Sequence, residues 1–243
     1  MKHFALRIPS PRTALSVLAV GIAAFALSAL TPVRAEDYGP NTVRIGLYSV
    51  FYHVSADPLS GPYVPPGELK LDVQNVETLY LAYVRDIGSH FNAELAFGLP
   101  PLTKTIARGP ATVGSVPYNG QVISTARWAS PSLVFNYLFL APTSLVRPYL
   151  GVGLNYTHFY DRESTAAGNA VAGGPTELSL QDSFGPVGTL GVRVRIAHSF
   201  SAYLSYSFSR VHTHLQANTL GEIRTTNVSF GPEALVAAVG YSF

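Results

Sequence analysis

The feature that most constrains the fold of this chain is an alternation of apolar and polar side chains with a period of two residues. Phe200, Leu204 and Phe208 share one face of an extended strand, and Ser205 and Ser209 lie on the other. Since successive side chains of a β-strand point to opposite sides, this pattern predicts strands with one apolar face. Eight such strands are predicted, at residues 43–53, 73–84, 91–98, 132–139, 147–159, 189–196, 200–210 and 235–243.

The composition indicates that these apolar faces meet lipid. Charged residues make up 12% of the chain, about half the usual share, whereas the chain holds 14 Tyr and 13 Phe. After residue 35 no apolar stretch reaches the roughly 18 residues of a membrane-spanning helix. Abundant but interrupted apolar surface is typical of a transmembrane barrel, in which only every second strand residue contacts lipid.

The connections between the predicted strands alternate in length along the chain. Three are short, at residues 85–90, 141–146 and 197–199, and four are long, at about 56–71, 99–121, 161–179 and 213–227. Outer-membrane barrels have short periplasmic turns and long extracellular loops, and they close because an open edge would leave backbone groups unpaired in hydrocarbon. We predict an all-β fold, an eight-stranded antiparallel up-and-down transmembrane β-barrel. The alternative, a soluble ligand-binding barrel, requires a charged outer face.

Aromatic residues near the predicted strand ends suggest the girdles that anchor a barrel at the two membrane interfaces. The candidates are Tyr149, Phe159, Tyr160, Phe200, Phe208, Tyr241 and Phe243. Outer-membrane lipid is therefore a predicted partner.

Residues 1–35 have the order of a cleavable signal peptide. Residues 2–12 carry three basic side chains, residues 14–30 are almost entirely apolar, and the small residues Val33 and Ala35 follow. This order predicts export with cleavage near Ala35. The alternative is a retained membrane anchor, since the apolar stretch is nearly long enough to span a bilayer.

Removal of this signal leaves a barrel domain of residues 36–243 with a different charge. The signal contains four basic and no acidic residues, so the net charge falls from +2 to about −2. The basic isoelectric point therefore gives no support to a nucleic-acid partner. The chain has no cysteine and hence no disulfide to stabilise it.

The C-terminus has the form of an assembly signal. The chain ends on an aromatic residue, and apolar residues precede it at alternate positions. This resembles the segment that outer-membrane barrels present to the barrel-assembly machinery, a second predicted partner. The residues predicted to carry the signal are Leu235, Val239, Tyr241 and Phe243.

Three internal segments resemble the outer membrane protein W (OmpW) family, which includes the AlkL alkane-uptake proteins. They are residues 131–133 (PSL), 147–156 (RPYLGVGLNY) and 178–185 (LSLQDSFG). The resemblance implies a narrow barrel in the outer membrane of a Gram-negative-type bacterium that admits small hydrophobic compounds. It also implies a lumen role for Phe184, at a position where the family often has a tryptophan. Alternation from Leu190 places Phe184 on the lipid side unless Gly185 and Pro186 form a bulge.

The predicted interior is polar at its periplasmic end and mostly apolar above it. Arg44, Glu94 and Arg193 face inward near that end, where buried charges should pair as a polar plug. An apolar lumen above a polar floor suits a small hydrophobic ligand better than an ion, since eight strands leave little open space. The lumen candidates are Tyr48, Val50, Tyr80, Val134 and Val236, together with Phe184.

Three prolines interrupt predicted strands in their outer halves and could mark openings in the wall. Pro131, Pro186 and Pro232 cannot donate a hydrogen bond to a neighbouring strand. Our hypothesis is that one such gap lets a ligand leave sideways into the membrane. The alternative is that these prolines only shape the barrel.

These features predict a channel for passive uptake of small hydrophobic molecules, with no enzymatic activity, no cofactor and no metal. One alternative is a surface barrel that binds or adheres to a partner through its long loops. A less favoured alternative is a lipid-modifying enzyme, because His212 and His214 share a strand face near Ser209 but lack an acidic residue at a recognisable spacing. The same two histidines lack the further ligands that a metal requires.

Overall fold

The computed structural model describes residues 39–56, 70–109, 112–113 and 116–243. The predicted signal peptide and most of the first predicted long loop lie outside these ranges. The strands are β1 (Asn41–Ala56), β2 (Lys70–Val73), β3 (Val76–Ile87), β4 (Phe91–Gly98), β5 (Leu102–Arg108), β6 (Thr112–Val113), β7 (Val116–Pro117), β8 (Val122–Ala129), β9 (Ser132–Leu138), β10 (Val146–Ser164), β11 (Thr176–Leu180), β12 (Ser183–Ala197), β13 (Phe200–Ser209), β14 (Val211–Thr219) and β15 (Glu222–Ser242), with a short helix α1 (Ala166–Ala172) between β10 and β11. No helix within the described ranges is long and apolar enough to span a bilayer.

Eight of these strands form a closed antiparallel ring. Neighbours pair in the order β1, β3, β4, β9, β10, β12, β13 and β15, and β15 pairs again with β1. The closing ladder runs from Thr42 opposite Ser242 to Ala56 opposite Val228. Closure satisfies the backbone of every strand, which a hydrocarbon environment requires. The predicted eight-stranded barrel is confirmed.

The ring is apolar on its outside. On β10, Leu150, Val152 and Leu154 are 54%, 69% and 50% exposed, whereas Tyr149 and Asn155, which flank this stretch, are buried. A soluble protein would bury the aliphatic residues and expose the polar ones. The inverted arrangement is the one expected of strands whose outer face contacts acyl chains.

Shorter strands extend the wall beyond this ring on the extracellular side. β8 pairs with the outer half of β10, β5 with β8, and β2 with β5. On the other side of the mouth, β14 pairs with the outer half of β15, and β11 pairs with β14.

The predicted long loops at 99–121, 161–179 and 213–227 contain strands of this extension, and the loop at 161–179 also contains α1. The residues between their glycines and prolines are long enough to form hairpins. Each hairpin continues a ladder that begins in the membrane, so its backbone is paired where a free loop would depend on water.

Two residues predicted to belong to the aromatic girdles lie inside the barrel instead. Tyr149 and Phe159 are only 5% and 8% exposed, whereas Phe200, Phe208 and Tyr241 are about half exposed. Both inner residues have the same parity on β10 as the inward-facing Asn155. The distance of a residue from the end of its strand sets its depth in the membrane. Whether its position along the strand is odd or even decides whether its side chain faces the lumen or the lipid.

Candidate functional site

The lower part of the lumen is closed by a buried ion pair between two strands, β1 and β4, that are separated only by β3. Arg44 Nη1 on β1 lies 2.8 Å from Glu94 Oε2 on β4, and both side chains are less than a tenth exposed. Glu94 also accepts hydrogen bonds from the hydroxyl of Tyr80 and from Nδ2 of Asn136, the latter at 2.9 Å. The guanidinium of Arg44 lies 3.8 Å from the ring centroid of Tyr203.

These contacts let two charges remain buried. A buried ion pair is tolerated when most of its remaining polar atoms are also satisfied. Both carboxylate oxygens of Glu94 have partners, whereas Nε of Arg44 has none. Apolar side chains pack around the pair and fill the rest of the cross-section. They include Tyr80, Ala82, Leu138, Tyr149, Tyr203, Val236 and Ala238.

Arg193, the third predicted member of this plug, lies apart from the other two. Its Nε donates to Ser201 Oγ at 3.3 Å, and its Nη1 lies 3.6 Å from Asp86 Oδ2. Arg193 is therefore buried and paired, but its acidic partner is not Glu94. Barrel strands are tilted, so residues equally far from their strand starts differ in height along the axis. Asp86, which was not predicted, is its acidic partner.

Above the plug the lumen widens into an apolar space, here called the upper chamber, with a volume of about 220 Å³. Of the predicted lumen residues, Tyr48 and Val50 line this chamber. Tyr80, Val134 and Val236 line a smaller cavity of about 50 Å³ directly below it, and Tyr48 borders both. Glu94 of the plug lines the lower cavity, so the plug lies beneath both cavities.

Four aromatic side chains line the upper chamber as a belt around its wall. The ring of Phe230 lies 6.5 Å from that of Tyr52 and 6.4 Å from that of Phe159, and Trp128 is directly opposite Phe159 in the β8–β10 ladder. The alternation that selected Tyr48 and Val50 also includes Tyr52, but the sequence interpretation stopped short of it. Trp128 lies on β8, which was not predicted as a strand.

A cluster of small polar side chains marks the lower boundary of the upper chamber. Nδ2 of Asn155 lies 2.8 Å from the hydroxyls of both Ser130 and Ser132, and Thr157 Oγ1 donates to Asn155 Oδ1 at 2.9 Å. Because these groups satisfy each other, they need no ligand. These side chains form a short polar band at this level of the wall.

Phe184 does not face the lumen. Its side chain is 67% exposed on the outer face of β12, and the β10–β12 ladder runs without a register shift from Val146 opposite Val194 to Thr157 opposite Ser183. No bulge forms at Gly185 and Pro186 on this side, so alternation continues and places the ring outside. The resemblance-based lumen assignment of Phe184 is therefore wrong.

The barrel wall is interrupted near Pro131. Pairing of β4 with β9 ends at Ala96 and Ser132, and pairing of β5 with β8 starts only at Leu102 and Arg127. In the described part of the chain, no backbone hydrogen bond joins residues 97–101 to residues 128–131. We call this stretch the wall gap.

Proline accounts for part of the wall gap. Pro100, Pro101 and Pro131 lie within it and have no backbone N–H to donate across it. Phe97 lines the cavity below the upper chamber and is also 40% exposed on the outside, while Trp128 lines the chamber. Side chains at the wall gap thus contact both the lumen and the outer surface.

The interruptions at the other two prolines are shorter. Pro186 lies opposite Leu154 in an unbroken ladder, and on its other edge its carbonyl accepts a hydrogen bond from Arg210 N at 3.3 Å. Pro232 lies opposite Tyr52 in the continuous β1–β15 ladder, and on its other edge β13 pairs with β15 up to Glu233 and β14 resumes the pairing at Phe230. At neither proline does the wall lose backbone pairing over as long a stretch as at the wall gap.

The histidines considered for catalysis or metal binding bond to uncharged neighbours. His212 Nδ1 lies 2.9 Å from Ser229 Oγ, and His214 Nδ1 lies 3.0 Å from Asn227 Oδ1. Within the described ranges, no group of three or more His, Cys, Asp or Glu side chains is placed to hold a metal ion. The assembly-signal residues lie on β15 and its end, where Val239, Tyr241 and Phe243 are exposed on the outer face.

Comparison with known proteins agrees with this architecture. Residues 89–243 match the model of the OmpW family. The chain is 27% identical to outer membrane protein W of Vibrio cholerae over 223 residues, covering 92% of this chain and 97% of that protein. It is 31% identical over 135 residues to the dibenzothiophene metabolism operon protein PahQ of Pseudomonas aeruginosa, covering 54% of this chain and 57% of PahQ.

A solved structure supports the fold directly. The crystal structure of the outer membrane protein OprG from Pseudomonas aeruginosa superposes with a TM-score of 0.75 at 20% identity, covering 87% of this chain and 99% of OprG. The closed ring and its apolar outer face indicate a transmembrane barrel, and the family match indicates which family it belongs to. The chain belongs to the OmpW family and is a β-barrel of the Gram-negative outer membrane.

Proposed function

We propose that the protein is a passive channel through which small hydrophobic molecules cross the outer leaflet. The observation that carries the proposal is the upper chamber, a mostly apolar space, with the ion pair of Arg44 and Glu94 lying below it. A hydrophilic solute gains little from such a lining, and an ion would need a continuous wet path past the plug. An apolar molecule is stabilised there by leaving water.

The wall gap supplies a route out of the chamber that avoids the plug. A molecule between Trp128 and Phe97 is next to an unpaired stretch of wall whose outer rim is apolar, including Leu99 at 49% exposure. Lateral exit there would deliver the ligand into the membrane interior without exposing it to water. The name of the relative PahQ supports a ligand of this class, since dibenzothiophene is an aromatic, largely apolar molecule.

Uptake by intact cells tests the proposal. The barrel is expressed in a Gram-negative host without an OmpW-family protein, and the probe is N-phenyl-1-naphthylamine, which fluoresces once it reaches a lipid interior. Cells with the barrel are expected to take up the probe faster than cells without it, at unchanged permeability to a polar solute of similar size. Equal uptake with and without the barrel would reject transport and favour the alternative of a surface barrel that binds a partner.

A proline variant tests lateral exit separately. Pro100→Val restores a backbone N–H on the edge of the wall gap that faces Arg127, and it should slow uptake by roughly threefold, which a barrier increase of under about 1 kcal/mol would produce. Pro186→Val is the matched control, because its strand is already paired, and it should leave uptake unchanged. If both variants take up the probe at the wild-type rate, exit does not occur at the wall gap.

A further inference from the structure

Several polar atoms that line the upper chamber are buried and have no partner. They are the hydroxyls of Tyr52 and Tyr118, Nε1 of Trp128 and Nε of Arg224. The indole N–H of Trp128 makes a weak contact with the hydroxyl oxygen of Tyr52, which leaves the hydroxyl proton of Tyr52 without an acceptor. Leaving a buried donor unsatisfied is unfavourable, and one apolar chamber that collects four such atoms is unusual for a folded protein.

The positions of these atoms show that they belong to the site. Tyr52 on β1 and Trp128 on β8 both belong to the aromatic belt. Tyr118 follows β7 near the top of the β5–β8 hairpin, yet its side chain is only 1% exposed and lines the chamber. A tyrosine next to a hairpin turn would ordinarily lie in solvent. Because Tyr118 is buried there, its hydroxyl is a third unpartnered donor at the chamber wall.

The chemistry of these atoms restricts what could satisfy them. An indole N–H and a guanidinium Nε–H can only donate, and a tyrosine hydroxyl can donate. Among the described residues that line the chamber none is acidic, whereas Arg162 and Arg224 are both basic. The missing partner is therefore a hydrogen-bond acceptor, and the surrounding apolar wall requires it to be attached to a hydrophobic body.

We propose that the upper chamber selects hydrophobic molecules that carry an acceptor oxygen, such as aryl ketones, over hydrocarbons of the same shape. This selectivity rests on the proposed uptake function and names its preferred substrate class. Tyr52 and Trp128 are the specificity-determining residues, because their unpartnered donors lie together in the belt. A pure hydrocarbon fills the same space but leaves these donors unsatisfied.

The test uses the matched pair 9-fluorenone and fluorene, which differ by a carbonyl in place of a methylene. Saturable binding of each is measured on the barrel in lipid nanodiscs, with partition into empty nanodiscs subtracted. Fluorenone should bind more tightly by about 3- to 10-fold, as one additional hydrogen bond gives. Trp128 is the only tryptophan of the chain, so its indole N–H gives a single nuclear magnetic resonance signal, which should shift with fluorenone and far less with fluorene.

Variants identify the donors. Tyr52→Phe and Trp128→Phe keep an aromatic ring and remove a donor, and each should move the ratio of fluorenone to fluorene affinity towards one because fluorenone affinity falls by the larger factor. Tyr241→Phe, on the outer face, is the matched control and should keep the wild-type ratio. Heat-modifiable mobility in electrophoresis verifies that each variant is folded.

The possible failures are distinguishable. If fluorene binds saturably and fluorenone binds no better, the inference is wrong while the proposed uptake function stands. A preference for fluorenone that survives in both Tyr52→Phe and Trp128→Phe would also overturn the assignment. If neither compound binds saturably, the proposed function fails together with the inference.

Discussion

At the scale of single residues, the pair of Arg44 and Glu94 has the largest electrostatic consequence. The two side chains lie in the low-dielectric interior of the barrel, where they close the floor of the lumen. A buried pair of this kind is weakly stabilising as a whole, but the loss of one partner leaves an uncompensated charge. The energetic importance of each residue therefore depends on the other being present.

Glu94→Gln tests this dependence. The substitution keeps the shape of the side chain but leaves Arg44 buried without a counter-ion, so the free energy of unfolding should fall by about 3–5 kcal/mol. Urea unfolding of the refolded barrel in lipid vesicles measures the change. Asp72→Asn is the control, since the Arg108–Asp72 pair is 46% exposed on both sides and should contribute at most about 1 kcal/mol. Equal losses in the two variants would contradict the account.

A glycine supports the same pair indirectly. A Cβ added to Gly151 would lie 2.0 Å from Oδ1 of Asn136, the side chain that donates to Glu94. This glycine belongs to the family-like segment RPYLGVGLNY, and the close approach gives a physical reason for it.

Gly151→Ala should displace Asn136 and lower the free energy of unfolding by about 1–3 kcal/mol, the usual effect of overpacking. Urea unfolding again provides the measurement. Gly231→Ala is the matched control, because its nearest neighbour would be 3.8 Å away in ordinary contact. A destabilisation by Gly231→Ala as large as that of Gly151→Ala would show that the clash with Asn136 is not the cause.

At the scale of strands, the periodicity of the sequence predicted more than the composition of its loops did. The alternation around Leu150 and Leu204 gave the membrane-spanning strands and the side on which each residue lies, because a period of two is a direct property of a strand. The same rule placed Phe184 outside, and only the resemblance suggested the lumen. The strands of the outer extension were missed because their side chains do not alternate clearly between an apolar and a polar face, as β8 shows with every residue half-buried.

A contact at the outer edge of the barrel ties β10 to the turn between β11 and β12. Asp182 Oδ2 accepts a hydrogen bond from the hydroxyl of Tyr156 at 2.5 Å, and Asp182 Oδ1 lies 2.8 Å from His158 Nδ1. These two contacts, that of Tyr156 first, lower the pKa of the Asp182 carboxyl, which lies beyond the membrane-spanning part.

A lowered carboxyl pKa stabilises the fold above the ordinary value of the group and ceases to do so as the pH falls through the lowered value. The wild-type barrel should therefore lose some thermal stability as the pH falls from about 5 to below 3, in the range where carboxyl groups titrate. Asp182→Ala should lose less over the same interval, because it has no such contribution to lose. Identical acid sensitivity of the two proteins, measured by thermal unfolding in detergent, would refute this role for Asp182.

At the scale of the whole molecule, the ring and its outer extension are joined but separable. The eight-stranded ring satisfies its own backbone, while the β5–β8 hairpin depends on the outer half of β10. The sequence predicted the ring in full. It could not predict the upper chamber, since the chamber wall combines residues from β1, β8, β10 and β15 whose mutual heights depend on strand tilt and register.

Shortening the hairpin tests this separation. Thr103 lies directly opposite Ala126, so a two-residue Asn-Gly turn can replace residues 104–125. We expect the shortened chain to insert and to keep its heat-modifiable mobility, but to bind hydrophobic probes more weakly because the chamber loses Tyr118 and part of its wall. If the shortened chain fails to insert, the extension is required for folding of the ring.

The long ladder between β1 and β15 also has a consequence for how the protein is made. Of the described strands β1 is synthesised first, and one of its two neighbours, β15, is synthesised last. Ring closure therefore has to wait until β15 has been made and exported. Throughout that interval β1 carries an unprotected edge that could pair with any other extended polypeptide. This topology therefore predicts that the unfinished chain aggregates readily unless the edge of β1 is covered until the ring closes, independent of what the finished barrel carries.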